Sequence, residues 1–161
     1  MTDPGARQEK PPEPLPASAR PTVDSAPSIV VGFDGSDAAE RALERAAKLA
    51  GSEGRVVVVT ARPTAAQSPL TPEPILDAPS PTEQRELLQR SRTLLEGRGA
   101  NASFVAMDAD PAEALVRVAR SEDATLLIVG QTGSGYVTRA LLGSTAENVL
   151  RHTPCDVLVV V

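Results

Sequence analysis

The sequence predicts an α/β protein: a parallel sheet of five strands covered by helices on both faces, of the doubly wound type. Three observations predict it. Short β-branched runs alternate with helix-periodic segments five times, the signature of strand–helix–strand units. The run "RVVVVTA" is apolar on both faces, as a central parallel strand is. Of the 15 prolines, seven lie in residues 1–27 and six in residues 62–81, leaving only Pro111 and Pro154 for the rest. That partition separates one compact body from two segments of different character. Right-handed crossovers then restrict the sheet to a few doubly wound topologies.

The elements follow in order. Residues 1–27, mixing proline, charge and small side chains, bury too little apolar surface to offset their ordering entropy and read as a disordered tail. "SIVVGFD" is a first strand that ends in the turn residues Asp34-Gly35-Ser36. "SDAAERALERAAKLA" places Ala39, Leu43, Ala46, Ala47 and Ala50 on one helical face. "RVVVVTA" is the second strand. Residues 62–81 exceed an ordinary connection and read as either a mobile flap or a Pro-rich surface loop, with Ile75-Leu76 the part suited to packing down. A helix then starts with Ser80 as N-cap, Pro81 at its first position and Glu83 completing a capping box. "NASFVAMD" is the third strand, and Asp110, Pro111 and Glu113 repeat the helix-start pattern. "ATLLIVG", "STAENVLRH" and "CDVLVVV" supply the fourth strand, a short helix and the fifth strand.

Composition excludes several functions. With a net charge of -5 and a pI near 4.9, no Lys/Arg run is dense enough to neutralise a series of phosphates, so neither nucleic acid nor an anionic membrane is an expected partner. Base-stacking platforms are disfavoured too, because Phe33, Phe104 and Tyr136 are the whole aromatic set. A single cysteine, Cys155, rules out an intrachain disulfide. With no apolar run approaching the roughly 20 residues of a membrane span and no N-terminal apolar export signal, cytoplasm is the expected compartment.

The chemistry concentrates in "VGQTGSGYVTRALLGST", which follows the fourth strand with the spacing Gly130-x2-Gly133-x9-Gly143-Ser144. In doubly wound sheets ligands bind beyond the carboxyl ends of the strands, where strand order reverses. Gly130 and Gly133 lack a Cβ, so their backbone amides can approach an oxyanion closely and adopt positive φ. Gly143 and Ser144 open the last helix, whose free N–H groups and dipole favour phosphate. A purely structural reading makes Ser144 an N-cap in the box Ser144-Thr145-Ala146-Glu147, but leaves the first two glycines unexplained. Two other phosphate motifs fail. Tyr136-Val137 stands where a Walker A loop needs Lys-Ser/Thr, and Gly32-Phe33-Asp34-Gly35-Ser36 is no dinucleotide fingerprint. A nucleotide would therefore be held by backbone amides and hydroxyls.

Asp34 ends the first strand and faces the same crevice, as a turn aspartate or as a group orienting a ribose hydroxyl, a base edge or Mg²⁺. A phospho-receiver role would need an adjacent second acid and a lysine on a late strand, which are missing. His152 reads as a positive group at a helix end, Cys155 as a small core residue, and Arg139 as a loop charge within reach of a phosphate. The terminal run "VLVVV" falls at a sheet edge, where pairing with a second copy would cover it.

These residues resemble the universal stress protein family in its ATP-binding branch. Gly130, Gly133, Gly143 and Ser144 fill the family pattern G-x2-G-x9-G-[ST]; "VGFDGS" resembles its opening and "TPCDVLVVV" its ending, so that the likeness spans residues 28–161. The resemblance implies a Rossmann-like sheet, adenine nucleotide alpha hydrolase-like, of order 3-2-1-4-5, with ATP between the first and fourth strands. It implies that Asp34 contacts the nucleotide, the backbone at Ala61 meets adenine, and Val129 and Gly130 flank ribose and phosphates. Gly133, Gly143, Ser144, Thr145 and Ala146 would hold the triphosphate. It further implies a homodimer through Val157–Val161. Two departures stand out: Gln131-Thr132 replaces a small-then-basic or His pair, and Ala146 stands where some members carry a hydroxyl.

The expected function is that of an ATP-binding regulatory protein of the stress response, with Mg²⁺ accompanying the nucleotide. No general base or activated nucleophile is supplied, so at most slow ATP hydrolysis, through Mg²⁺ and Asp34, is expected. The competing reading is a dimeric scaffold that binds no ATP, or binds AMP or a cyclic nucleotide, and acts through protein partners.

Overall fold

The computed structural model describes residues 26–63, 79–131 and 142–161. The expected tail, apart from its last residues, and most of the Pro-rich loop, including Ile75-Leu76, lie outside the described residues; so does Arg139. The elements are β1 (Ser28–Gly32), α1 (Asp37–Ala50), β2 (Arg55–Ala61), α2 (Pro81–Leu95), β3 (Asn101–Met107), α3 (Pro111–Ser121), β4 (Leu126–Gly130), α4 (Ser144–His152) and β5 (Asp156–Val160). The five strands form one parallel sheet of order β3-β2-β1-β4-β5.

Strand periodicity divides the core into two layers. Ile29, Val31 and Phe33 point with Val56, Val58 and Ile128 into the layer shared with α1. Val30, Val57, Val59, Leu127 and Val129 point to the opposite face, against Leu115 and Val118 of α3 and Val149 of α4. The central strands are fully buried, at about 1.5–3 kcal/mol per large aliphatic side chain. Alanine dominates the inner face of α1, at Ala39, Ala42, Ala46, Ala47 and Ala50 around Leu43, as the periodicity predicts. The helix carries little bulk between its backbone and the sheet.

The predicted starts of α2 and α3 form at the expected residues. Ser80 accepts from the Glu83 N–H at 3.2 Å while the Glu83 carboxylate accepts from the Ser80 N–H at 2.7 Å, closing the capping box. Hydrogen bonding to the carboxylate from the Ser80 backbone foremost, and from the Ser80 side chain, holds the Glu83 carboxyl below the usual carboxylate range. Asp110 caps α3 by accepting from Ala112 and Glu113 N–H. Strands β1, β4 and β5 are one to two residues shorter at their ends than their apolar runs suggest, because flanking residues turn away to start the next connection.

Two buried polar side chains on the β2 side are not visible in any motif. Gln84 of α2 donates its amide to the carbonyls of Thr60, at 3.2 Å, and Met107, at 3.0 Å, tying α2 to the carboxyl ends of β2 and β3. Thr60 is 1% exposed and its hydroxyl has no hydrogen-bond partner among the described residues. Thr60→Val removes that orphan donor at nearly constant shape and is expected to stabilise the fold by about 1 kcal/mol. A higher urea midpoint at unchanged slope would show it; a lower midpoint would mean the hydroxyl is satisfied in solution.

Candidate functional site

The order β3-β2-β1-β4-β5 reverses between β1 and β4. Neighbouring connections there leave for opposite faces, to α1 and to α4, and open a crevice above the strand ends.

On the β1 side, the chain leaves the sheet after the Phe33 N–H donates to Val59 O at 2.9 Å. Asp34 then accepts through Oδ1 from the Ser36 N–H at 3.0 Å and from the Ser36 hydroxyl at 2.7 Å. Gly35, between them, takes φ of 80°, a conformation that favours glycine. Ser36 in turn caps α1 by accepting from the Ala39 N–H at 3.2 Å. Asp34 is thus an exposed turn aspartate locally and a carboxylate presented at the crevice mouth, the two readings occupying one geometry.

On the β4 side, Gly130 does not adopt positive φ, contrary to the expectation from its place in the glycine pattern. It is the last residue of β4, paired in register with Val160. What excludes a side chain there is α1: a Cβ on Gly130 would lie 2.9 Å from Ala38 Cβ and 3.0 Å from the Ala38 carbonyl carbon. Gly130 therefore lets the first turn of α1, and with it the Asp34 turn, sit directly on the end of β4. Beyond it the Gln131 N–H donates to Val160 O at 2.7 Å, and the Gly143 N–H donates to Gln131 O at 2.8 Å. That second bond clips together the two ends of the glycine-rich segment. Gly133 lies outside the described residues.

The start of α4 departs from the capping box considered for it. Gly143, not Ser144, is the N-cap, with φ −65° and ψ 153°, and Ser144 is the first helical residue. Glu147 pairs with Arg151 at 2.7 Å instead of reaching back. The register moves by one because the Gly143 N–H is held by Gln131, and the carbonyl of Gly143 already accepts from Glu147 N–H at 3.0 Å. A glycine cap has no side chain to offer the first-turn amides, whereas Ser36, Ser80 and Asp110 each supply one to α1, α2 and α3. The N–H groups of Ser144, Thr145 and Ala146 thus begin a helix without a side-chain cap. Ser144 is exposed, Thr145 is half-buried, and Ala146, 1% exposed, turns its methyl into the core beside Val149. At Ala146 only the backbone is placed to meet an anion.

Ala61 closes β2, in register with Met107. Val129 is 3% exposed, its side chain in the α3/α4 layer, so only its main chain borders the crevice. Next to Ala61, Arg62 donates through Nε and Nη2 to Asp108 Oδ1, at 3.1 and 2.7 Å, placing an ion pair at the rim over β2 and β3. No sequence pattern links those two residues. His152 lies in the last turn of α4, its Nδ1 2.9 Å from Asn148 O. Cys155 is half-buried against the α3/α4 layer, where burial pushes its thiol up despite the Thr153 hydroxyl beside it.

A five-stranded 3-2-1-4-5 sheet, with a turn aspartate and an uncapped helix start converging on its switch point, defines a Rossmann-like α/β protein. The chain belongs to the universal stress protein family, whose model matches residues 27–161. Universal stress protein Rv1636 of Mycobacterium tuberculosis is 32% identical over 138 residues, covering 83% of this chain and 94% of its own. The crystal structure of Rv1636 superposes with a TM-score of 0.56 at 31% identity, over 87% of this chain and 98% of that one. A universal stress protein crystallised in complex with cAMP superposes with a TM-score of 0.62 at 29% identity, over 84% of this chain and 97% of that one.

Proposed function

We propose that the protein binds an adenine nucleotide, ATP in the first instance, in the crevice between β1 and β4, and serves as a nucleotide-dependent regulatory protein of the stress response. The observation that carries this reading is the start of α4: it is the one helix among those described that has no side-chain cap, and it begins beside the end of β4. In this reading the first-turn amides of Ser144, Thr145 and Ala146 hold the phosphates, with Gly133 and with Gly143, whose own N–H is bonded to Gln131 O and whose missing side chain leaves those amides uncovered. Val129 and Gly130 border the ribose and phosphates through their backbone, Asp34 orients the ribose or a Mg²⁺ ion, and the backbone at Ala61 meets adenine. Relatedness to a protein that binds cAMP supports the adenine moiety.

Residues 28–161 form the nucleotide-binding domain and residues 1–27 a tail attached to it, in the cytoplasm. Among the described residues strand β5 pairs only with β4, and Val161 is 76% exposed, which suits a homodimer through Val157–Val161. Asp34 with Mg²⁺ would support no more than slow hydrolysis, so the bound nucleotide acts as a signal.

The cAMP complex of the relative also favours a second reading, in which AMP or a cyclic nucleotide is the resident ligand. Mass spectrometry of ligand released from purified protein, with calorimetric titration of ATP, AMP and cAMP, separates the two. Retained or tightly titrating ATP is expected; binding of cAMP alone would replace the first reading by the second, and binding of none would end both. Light scattering at micromolar concentration is expected to give twice the chain mass, and a monomer would refute the edge pairing.

A further inference from the structure

We propose that Arg90 of α2 is a positioning residue for the nucleoside half of the ligand, holding the Asp34 turn at the height where it can meet ribose; this rests on the reading of the crevice given above. The Arg90 guanidinium donates through Nη1 to the carbonyl of Gly35 at 3.2 Å and through Nη2 to Glu40 of α1 at 2.5 Å. It therefore grips the turn and the first helical turn after it at once. Leu87, one turn earlier on α2, presses on the same place: a Cβ on Gly35 would stand 2.7 Å from Leu87 Cδ2.

The other end of this helix is anchored where adenine is expected. Gln84 is 6% exposed, and its amide holds the carbonyl of Thr60, the residue before Ala61. Gln84, Leu87 and Arg90 succeed each other every third residue along one side of α2. One rigid helix thus spans the backbone at Ala61 and the turn at Asp34, and sets their separation. The phosphate side, at Gly143 and α4, lies on the opposite face of the sheet from α2. The role of Arg90 is accordingly confined to base and ribose.

Arg98 supplies an internal control. It also bridges to α1, through Nη2 to Glu44 at 2.9 Å, but touches no part of the Asp34 turn. If Arg90 and Arg98, the latter in the turn after α2 and bonded back to Leu94 O, served only to hold the α2 segment against α1, the two alanine variants would behave alike.

The test is calorimetric titration of the full-length chain and of Arg90→Ala, Arg90→Lys and Arg98→Ala with ATP, adenosine and inorganic tripolyphosphate. Amide hydrogen exchange at Gly35, Ser36 and Asp37 is followed in the free proteins. Arg90→Ala is expected to weaken ATP and adenosine about tenfold, the equivalent of one charge-assisted hydrogen bond. Tripolyphosphate affinity should be unchanged, and exchange at the turn faster. Arg90→Lys should recover part of the loss, and Arg98→Ala should match the parent. Equal affinities for adenosine in Arg90→Ala and parent, equal losses in Arg90→Ala and Arg98→Ala, or a loss confined to tripolyphosphate would each overturn the role. Failure of the site itself shows in the unmodified chain: if that binds no adenine compound, the crevice reading falls before any variant is compared, and the role falls with it.

Discussion

Replacing Gly143 with aspartate is expected to stabilise the unliganded protein slightly while removing most of its ATP affinity. Gly143 has φ −65° and ψ 153°, extended backbone that any residue adopts, so nothing in its conformation demands glycine. An aspartate there would accept from a first-turn amide of α4, as Asp110 does from Ala112 and Glu113 at the start of α3. The cap gain over glycine is a few tenths of a kcal/mol, with a favourable dipole term of about 0.3–1 kcal/mol. The same carboxylate would occupy the amides proposed for phosphate and oppose it with like charge. Losing one charge-assisted bond and adding that repulsion corresponds to about a hundredfold weaker binding, or roughly 3 kcal/mol. Urea unfolding and ATP titration check the two halves separately. Undiminished affinity in a folded Gly143→Asp protein would place the phosphates elsewhere.

Gly130→Val is expected to act in the opposite manner, damaging fold and site together. Its Cβ would meet the Ala38 methyl at 2.9 Å and the Ala38 main chain at 3.0 Å. A helix backbone cannot rotate aside as a side-chain tip does. At Gly32 the corresponding neighbour is the flexible end of Leu115, at 3.2 Å, and an alanine there should be absorbed more cheaply. We expect Gly130→Val to cost about 1–3 kcal/mol through overpacking, and to displace the first turn of α1 outward. Because Ser36 both caps that helix and bonds Asp34, the turn moves with it. Thermal unfolding and ATP titration should both deteriorate, and Gly32→Ala should retain most of both. A Gly130→Val protein with parental stability would mean that α1 does not rest on β4.

The contrast between these two glycines shows how far residue patterns reach. Gly130 and Gly143 occupy equivalent-looking places in one spaced motif, yet the first is small because a helix 92 residues earlier in the chain lies on it. The second is small at a position whose backbone tolerates any residue. Spacing alone does not separate the cases, since the neighbour that decides them comes from another part of the fold. The same holds for Arg90 and Gly35, which are 55 residues apart, and for Gln84 and the end of β2. No apolar stripe points to Gln84, because the buried residues of α2 are Gln84, Ser91 and Leu95, two of them polar.

Alternation of apolar runs, helix periodicity and the Ser80, Pro81, Glu83 and Asp110, Pro111, Glu113 starts were enough by themselves to determine the class of fold, the order of the elements and where α2 and α3 begin. These are local effects, in which the residues that cause a feature lie within a turn or two of it. Membership of the universal stress protein family was likewise written in Gly130, Gly133, Gly143 and Ser144. Tertiary structure alone decided which residue caps α4, why Gly130 has no side chain, and what holds the Asp34 turn. Each depends on a hydrogen bond or a close contact between segments distant in sequence: Gly143 N–H to Gln131 O, Ala38 on Gly130, Arg90 on Gly35. Such contacts depend on how the β1 and β4 connections pack across the sheet, and a linear pattern carries no measure of that distance.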